Sequence, residues 1–188
     1  DGIVDRPPLA TPAPKPAVAV LAGPLAVAVL AVAPVAGCTG SPDVADGSAT
    51  VTAIVDGDTI DVRIAGRDER VRLIGIDTPE TERPEAPAEC HADAATAFTA
   101  SLLPPGSPVR IERDVVGRDH YGRVLGYVHL LGDADDATDD VFVNVAIVEH
   151  GHAVPLTFEP NVRYAALFVA AARDAEAAGR GLWTACRD

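Results

Sequence analysis

The segment 49–76, ATVTAIVDGDTIDVRIAGRDERVRLIGI, constrains the fold of this chain most. Polar residues alternate with apolar, mostly β-branched ones over 49–56 and again over 59–64, and Asp56-Gly57-Asp58 between them is a hairpin signal. A second turn over 66–69 leads into a third strand at 70–76. Strands this short, separated by turns this tight, pair as an antiparallel meander. Residues 109–115 and 124–131 read as two further strands, with the polar segment 117–123 between them. A helix is expected over 90–103, with an apolar face through Ala94, Ala97, Phe98 and Leu102, stopped by Pro104-Pro105-Gly106. A short helix follows over 143–150. A longer one starts at Pro160, turns Leu167 and Phe168 toward a core, and ends before Gly179. Five strands in meander-plus-return order with helices outside define an α+β, mainly β domain, a barrel of the OB-fold type with three packed helices.

That domain occupies residues 49–188 of the 188-residue chain. Ahead of it, residues 17–36 are built almost wholly of Ala, Val and Leu behind Lys15, and the run ends in Val35-Ala36-Gly37-Cys38. Small residues before a cysteine after an apolar run look like a lipoprotein export signal, removed up to Gly37 with lipid on Cys38; a secretory signal cut nearby and an uncleaved anchor are the other readings. The expectation is an exported protein, held at the cell surface through Cys38 or secreted, with residues 39–48 as a flexible tether. Cys90 and Cys186 then form an even pair for an oxidising compartment, against the plainer reading of two separate thiols.

The formal net charge is −13, and the four charges before Cys38 cancel, so the domain carries all of it. An acidic domain repels phosphate at long range, which excludes non-specific coating of nucleic acid. Aromatic residues are only 4% of the chain, which excludes a broad base-stacking surface. Any phosphate chemistry must use local cations.

Three segments supply them. Asp56-Gly57-Asp58-Thr59 is on its own an ordinary hairpin turn. Arg72-Leu73-Ile74-Gly75-Ile76-Asp77-Thr78-Pro79-Glu80 runs a strand into a loop, and Asp119-His120-Tyr121-Gly122-Arg123 reads alone as a turn with a solvated arginine. Together they carry a chemistry. Asp58 and Asp77 offer hard oxygen ligands, joined by the Thr78 carbonyl and waters, a set suited to Ca²⁺. Arg72 and Arg123 fit the oxygens of a phosphodiester, and Glu80 is a spare carboxylate for activating water.

At these residues the chain resembles the thermonuclease (staphylococcal nuclease) family. The resemblance runs from about residue 50 to 183 through VDGDTI at 55–60, RLIGIDTPE at 72–80, AFT at 97–99, YGR at 121–123, VNVAIVEHG at 143–151 and GLW at 181–183. It implies a five-stranded OB barrel and a Ca²⁺-dependent phosphodiesterase that cuts DNA or RNA, single-stranded substrates included, to give 3′-phosphates. A monomer is expected, meeting a membrane only through the lipid anchor read at Cys38. By matching motif, Asp58, Asp77 and the Thr78 carbonyl hold calcium, with Asp56 close behind. Arg72 and Arg123 bind the phosphoryl oxygens, and Glu80 is the general base. His120 stands where the family has a phosphate-contacting lysine, and Tyr121 is retained. Leu156-Thr157-Phe158-Glu159 replaces a pair of nucleotide-holding tyrosines.

Two other functions fit parts of the pattern. A non-catalytic binding module of the same fold would not need the acid, base and both arginines that are present. A purely calcium-holding domain would not place arginines beside its site, because cations there are costly unless an anion joins them. The acidic run 132–140 lacks the ordered spacing, glycine and terminal glutamate of a calcium loop and reads as a solvated hairpin. His150 and His152, far from any thiol in sequence, read as a solvated pair rather than a zinc site.

Overall fold

Strands β1 (Gly47–Ile54), β2 (Thr59–Ile64) and β3 (Arg67–Leu73) form the expected meander. The structure is a computed structural model that describes residues 47–84, 86–132 and 140–187. The readings placed on residues 1–46, including the export signal and Cys38, and on most of the acidic run lie outside the described residues. β1 begins at Gly47, because Gly47 and Ser48 pair with Ile111 and Arg110 rather than belonging to a tether.

The sheet runs β3-β2-β1-β5-β6 and closes by parallel pairing of β3 with β6 (Val124–Leu130), Val71 opposite Val124; β5 is Pro108–Glu112. A register shift in β1 between Val51 and Ala53 marks a bulge, which bends and twists the strand as closure requires. β7 (Val141–Phe142) extends the sheet beside β6. Period-2 alternation sends Val51, Ile60, Val62, Val71, Val109, Ile111, Val124 and Val128 into one core that also takes Ile147 and Phe168 from two helices. That many buried aliphatic side chains, each contributing roughly 1.5–3 kcal/mol, make the barrel the stable frame on which the loops are hung.

Outside the barrel lie α1 (Ala92–Leu102), α2 (Val143–Glu149), α3 (Ala165–Ala177) and a one-turn α4 (Leu182–Ala185). α1 buries Ala92, Ala95 and Thr99, while Ala94 and Ala97, expected inside, are exposed. The face is rotated because the Thr99 hydroxyl donates to the Gly57 carbonyl at 2.7 Å, so a polar side chain belongs to the packed face. Phe168 is fully buried but Leu167 is exposed, since adjacent helical residues point about 100° apart and cannot share one contact face. The helix expected from Pro160 begins only at Ala165. Residues 158–161 instead close a turn in which the Asn161 amide bonds both the N–H (2.8 Å) and the carbonyl (2.9 Å) of Val116. The same two bonds take the backbone of Val116 out of sheet pairing, and β5 stops at Glu112, short of the Val115 that its β-branched composition suggested.

The expected third strand over 70–76 is broken in two. β3 ends at Leu73, and β4 (Gly75–Asp77) turns away to pair with β8 (Val154–Leu156), Asp77 opposite Val154. Gly75 takes φ +83°, and a side chain there would strike the Phe168 ring, so only glycine makes this corner. Asn144, fully buried, fixes it: its carbonyl oxygen accepts the Val128 N–H and its amide donates to the Ile74 carbonyl, each at 2.9 Å. The corner redirects the chain so that residues after Ile76 emerge beside the β1–β2 turn.

Candidate active site

The β1–β2 turn is built around Asp56, whose carboxylate accepts the Asp58 N–H at 3.1 Å. Gly57 is buried against the side chain of Thr78, and a methyl group there would lie 2.6 Å from the Thr78 hydroxyl oxygen. That close approach lets the backbone N–H of Thr78 (3.0 Å) and its hydroxyl (3.2 Å) both donate to Asp58 Oδ2. Two segments 20 residues apart are thereby joined through a carboxylate that is only 5% exposed.

Arg72, pointing from β3 into the corner, sits among these acids. One terminal nitrogen donates to the carbonyls of Leu73 and Ile76 and so braces the β3–β4 break. The other lies 3.0 Å from Asp58 Oδ2 and 3.0 Å from Asp77 Oδ1. Burial pushes the Asp58 carboxyl up to about 6 against the lowering pull of Arg72 and of the Thr78 hydrogen bond, with Asp56 and Asp77 adding to the rise. The site therefore holds a carboxylate whose charge is only partly compensated by the protein.

Arg123 reaches the same region from the turn after β5. Asp119 organises that turn: Oδ1 accepts the N–H groups of Tyr121 (3.0 Å) and Arg123 (2.9 Å), while Oδ2 accepts Arg123 Nε at 2.7 Å. Burial raises the proton affinity of Asp119, but the Arg123 and Tyr121 hydrogen bonds outweigh it and hold the carboxyl below its usual range. With Nε engaged, the terminal nitrogens of Arg123 have no hydrogen-bond partner among the described residues, so the fork is aimed and its outer edge is available. The sequence placed Asp119 in a turn but gave it no role toward Arg123; the signal was an Asp two residues before Tyr121 and four before Arg123, spaced to accept both backbone N–H groups.

Arg72, Glu80, His120 and Arg123 line one cavity of about 460 Å³, with Leu156 and Phe158 on its apolar side. Phe158 is 72% exposed, and it and Leu156 belong to the segment that stands where the resemblance places the paired tyrosines. Asp77 and Thr78 open onto a neighbouring hollow of about 300 Å³. Tyr121 does not line the main cavity. It stands on the rim of a separate groove with Arg63 and Arg70, its ring 3.7 Å from that of His120 and 5.5 Å from the Arg123 guanidinium carbon. Asp56 shapes the turn and touches Asp58 only through the backbone.

The fit of a divalent cation rests on Asp58 and Asp77. Their oxygens converge on a single cationic nitrogen, so both lie within reach of one positive centre, and they are hard donors of the kind calcium takes. Among the described residues no group of three or more His, Cys, Asp or Glu side chains forms a closed metal cage. A cation here would complete its shell with a carbonyl and water.

Away from the cavity, Cys90 and Cys186 are joined by a disulfide, Cα atoms 5.8 Å apart. The solvated pair expected at 150 and 152 holds only for His150. His152 is half-buried, stacked on Phe98 with centroids 4.3 Å apart and hydrogen-bonded to His91 at 2.9 Å; burial, with His91 and His150 nearby, lowers its pKa to about 4.

A barrel with paired arginines and carboxylates at one end defines the class, and comparison with known proteins agrees. The family model described as "Staphylococcal nuclease homologue" matches residues 70–185. The chain is 39% identical to the "Thermonuclease" of Staphylococcus intermedius, over 76% of this chain and 80% of that protein. It is 33% identical to the "Thermonuclease" of Staphylococcus hyicus, over 71% and 74% of the two chains. It is 30% identical to "Endonuclease YncB" of Bacillus subtilis (strain 168), over 72% and 61%. The chain belongs to the staphylococcal nuclease homologue family.

Proposed function

We propose that this protein is a calcium-dependent nuclease that hydrolyses phosphodiester bonds of single-stranded DNA or RNA and leaves 3′-phosphate ends, acting as a monomer. The observation that supports this reading is the convergence of Arg72, Glu80 and Arg123 on one cavity, next to two carboxylates that already share a cation. The names borne by its relatives, thermonuclease and endonuclease, point to the same chemistry.

Asp58, Asp77 and the Thr78 carbonyl would hold the calcium. When bound, the ion would supply positive charge against a phosphate oxygen. The Arg72 guanidinium and the outer nitrogens of Arg123 grip the phosphate and stabilise the charge that grows on its oxygens during attack. Glu80 takes a proton from water as the water oxygen bonds to phosphorus; the bond to the 5′ oxygen breaks, and that oxygen leaves with the electron pair and is protonated from solvent. Phe158 offers an apolar face to a base beside the cleaved linkage. With a net charge of −13 the domain gains little from long-range attraction, so binding rests on these local contacts and weakens with salt.

Export, whether as a lipoprotein through Cys38 or as a secreted protein, is the matching proposal for location; the Cys90–Cys186 bridge suits an oxidising compartment. The activity is tested by incubating the chain with single-stranded DNA in calcium, with and without a chelator. Cleavage that stops on chelation and returns with calcium is expected. Cleavage indifferent to the chelator removes the metal from the account, and no cleavage in calcium defeats the nuclease reading.

A further inference from the structure

Glu80 leaves the cavity wall on a loop that carries most of its residues in solvent, yet a general base must hold its position closely. Upstream, Thr78 is buried and tied to Asp58, and Pro79 follows it. Downstream, the loop turns on an Arg83–Ala86 bridge and returns to Glu89. There the chain meets itself twice: the Glu89 N–H donates to the Glu80 carbonyl at 2.9 Å, and the Glu80 N–H donates to the Glu89 carboxylate Oε2 at 3.0 Å. Three consecutive residues then anchor the returning strand of the loop. Glu89 holds Glu80, Cys90 is bonded covalently to Cys186 beyond α4, and His91 bonds His152 just before α1 begins.

We propose that Glu89 is a positioning residue for Glu80. Resting on the nuclease reading above, it adds a residue that does not line the main cavity, though it borders the neighbouring hollow with Asp77 and Thr78. The disulfide and the start of α1 make Glu89 the fixed jaw of a clamp, and its charge-assisted bond to the Glu80 N–H, reciprocated through the backbone, makes Glu80 the guided one. On an acidic surface an exposed glutamate is ordinarily a solvated charge. This one spends its carboxylate on the backbone of the proposed base. Losing the acceptor leaves the Glu80 N–H to water and frees the Glu80 backbone between Pro79 and the loop tip, which shifts the carboxylate relative to the attacking water.

The test compares Glu89→Ala and Glu89→Gln with the unmodified chain and Glu80→Gln, in calcium, on a single-stranded oligonucleotide. Glutamine keeps an acceptor oxygen for the Glu80 N–H; alanine does not. Glu89→Ala should lower kcat about 10- to 100-fold, the scale of a misplaced catalytic group, with KM unchanged, and Glu89→Gln should restore most of the loss. Amide hydrogen exchange at Glu80, read by NMR, should quicken in Glu89→Ala and not in Glu89→Gln. Wild-type kcat in Glu89→Ala, an equal loss in both variants, or a rise in KM at constant kcat overturns the proposal. An unmodified chain that cleaves nothing defeats the nuclease reading instead, and the exchange at Glu80 still reports whether the clamp exists.

Discussion

Replacing Asp58 by Asn should make the metal-free protein more stable at neutral pH and less so, by comparison, in acid. The carboxylate is 5% exposed, and burial raises its pKa from the ordinary 3.8 to about 6 in spite of the ion pair with Arg72. A raised carboxyl in the folded state binds its proton more tightly than in the unfolded chain. Its contribution to stability is therefore complete below about pH 4 and is lost as pH rises through about 6. The gap of about two units corresponds to about 3 kcal/mol. Asn keeps an acceptor for the Thr78 N–H and hydroxyl but does not titrate. Urea unfolding of both proteins in chelator, from about pH 3.5 to about pH 7.5, gives the stability difference at each pH. Titration of groups away from the site cancels in that difference, including Asp119, Glu69 and Glu112, whose lowered values act in the opposite sense. The advantage of Asp58→Asn should grow by about 3 kcal/mol between about pH 4 and about pH 7. A difference flat with pH would refute the claim that the site holds an under-compensated buried charge.

Glu80→Gln should cut the cleavage rate by about 10²- to 10⁴-fold with an unchanged urea midpoint, and Arg123→Ala by about 10²- to 10³-fold with a lowered midpoint, since Asp119 loses its guanidinium partner; initial rates on an oligonucleotide measure the losses. Gly57→Ala places a methyl 2.6 Å from the Thr78 hydroxyl oxygen, so about 1–3 kcal/mol of stability should be lost together with activity, read by urea unfolding and the same rate assay. Cys90→Ser with Cys186→Ser opens a link spanning 96 residues, and urea unfolding should show a loss of roughly 4–5 kcal/mol on the chain-entropy scale.

The barrel was legible because alternation and turn chemistry are local properties, and β1, β2, β3, β5 and β6 all declare themselves that way. The break at Gly75 was not, since RVRLIGI runs on apolar past Leu73 with no polar turn residue to mark the corner; the Phe168 ring that leaves no room for a side chain at Gly75 comes from a helix 90 residues later. β8 is three residues long with a proline inside and exists only because β4 pairs with it. The site motifs were readable as residue types at known places in a strand-and-turn pattern. Their present partners were not: that Arg72 braces Leu73 and Ile76 while bridging Asp58 and Asp77 depends on the folded corner. The buried amides of Asn144 and Asn161 likewise look like ordinary polar residues until their distant backbone partners are in place.

The central claim is that both guanidiniums and the ion held by Asp58 and Asp77 act on one phosphate. A crystal structure with calcium and an uncleaved phosphorothioate oligonucleotide tests it most directly. One backbone phosphate should lie within hydrogen-bond distance of both Arg72 and Arg123, with calcium between Asp58 and Asp77 and the Glu80 carboxylate facing a water in line with the 5′ oxygen. A phosphate seated elsewhere, or an Arg72 still bridging the two carboxylates with calcium absent from between them, would contradict the account.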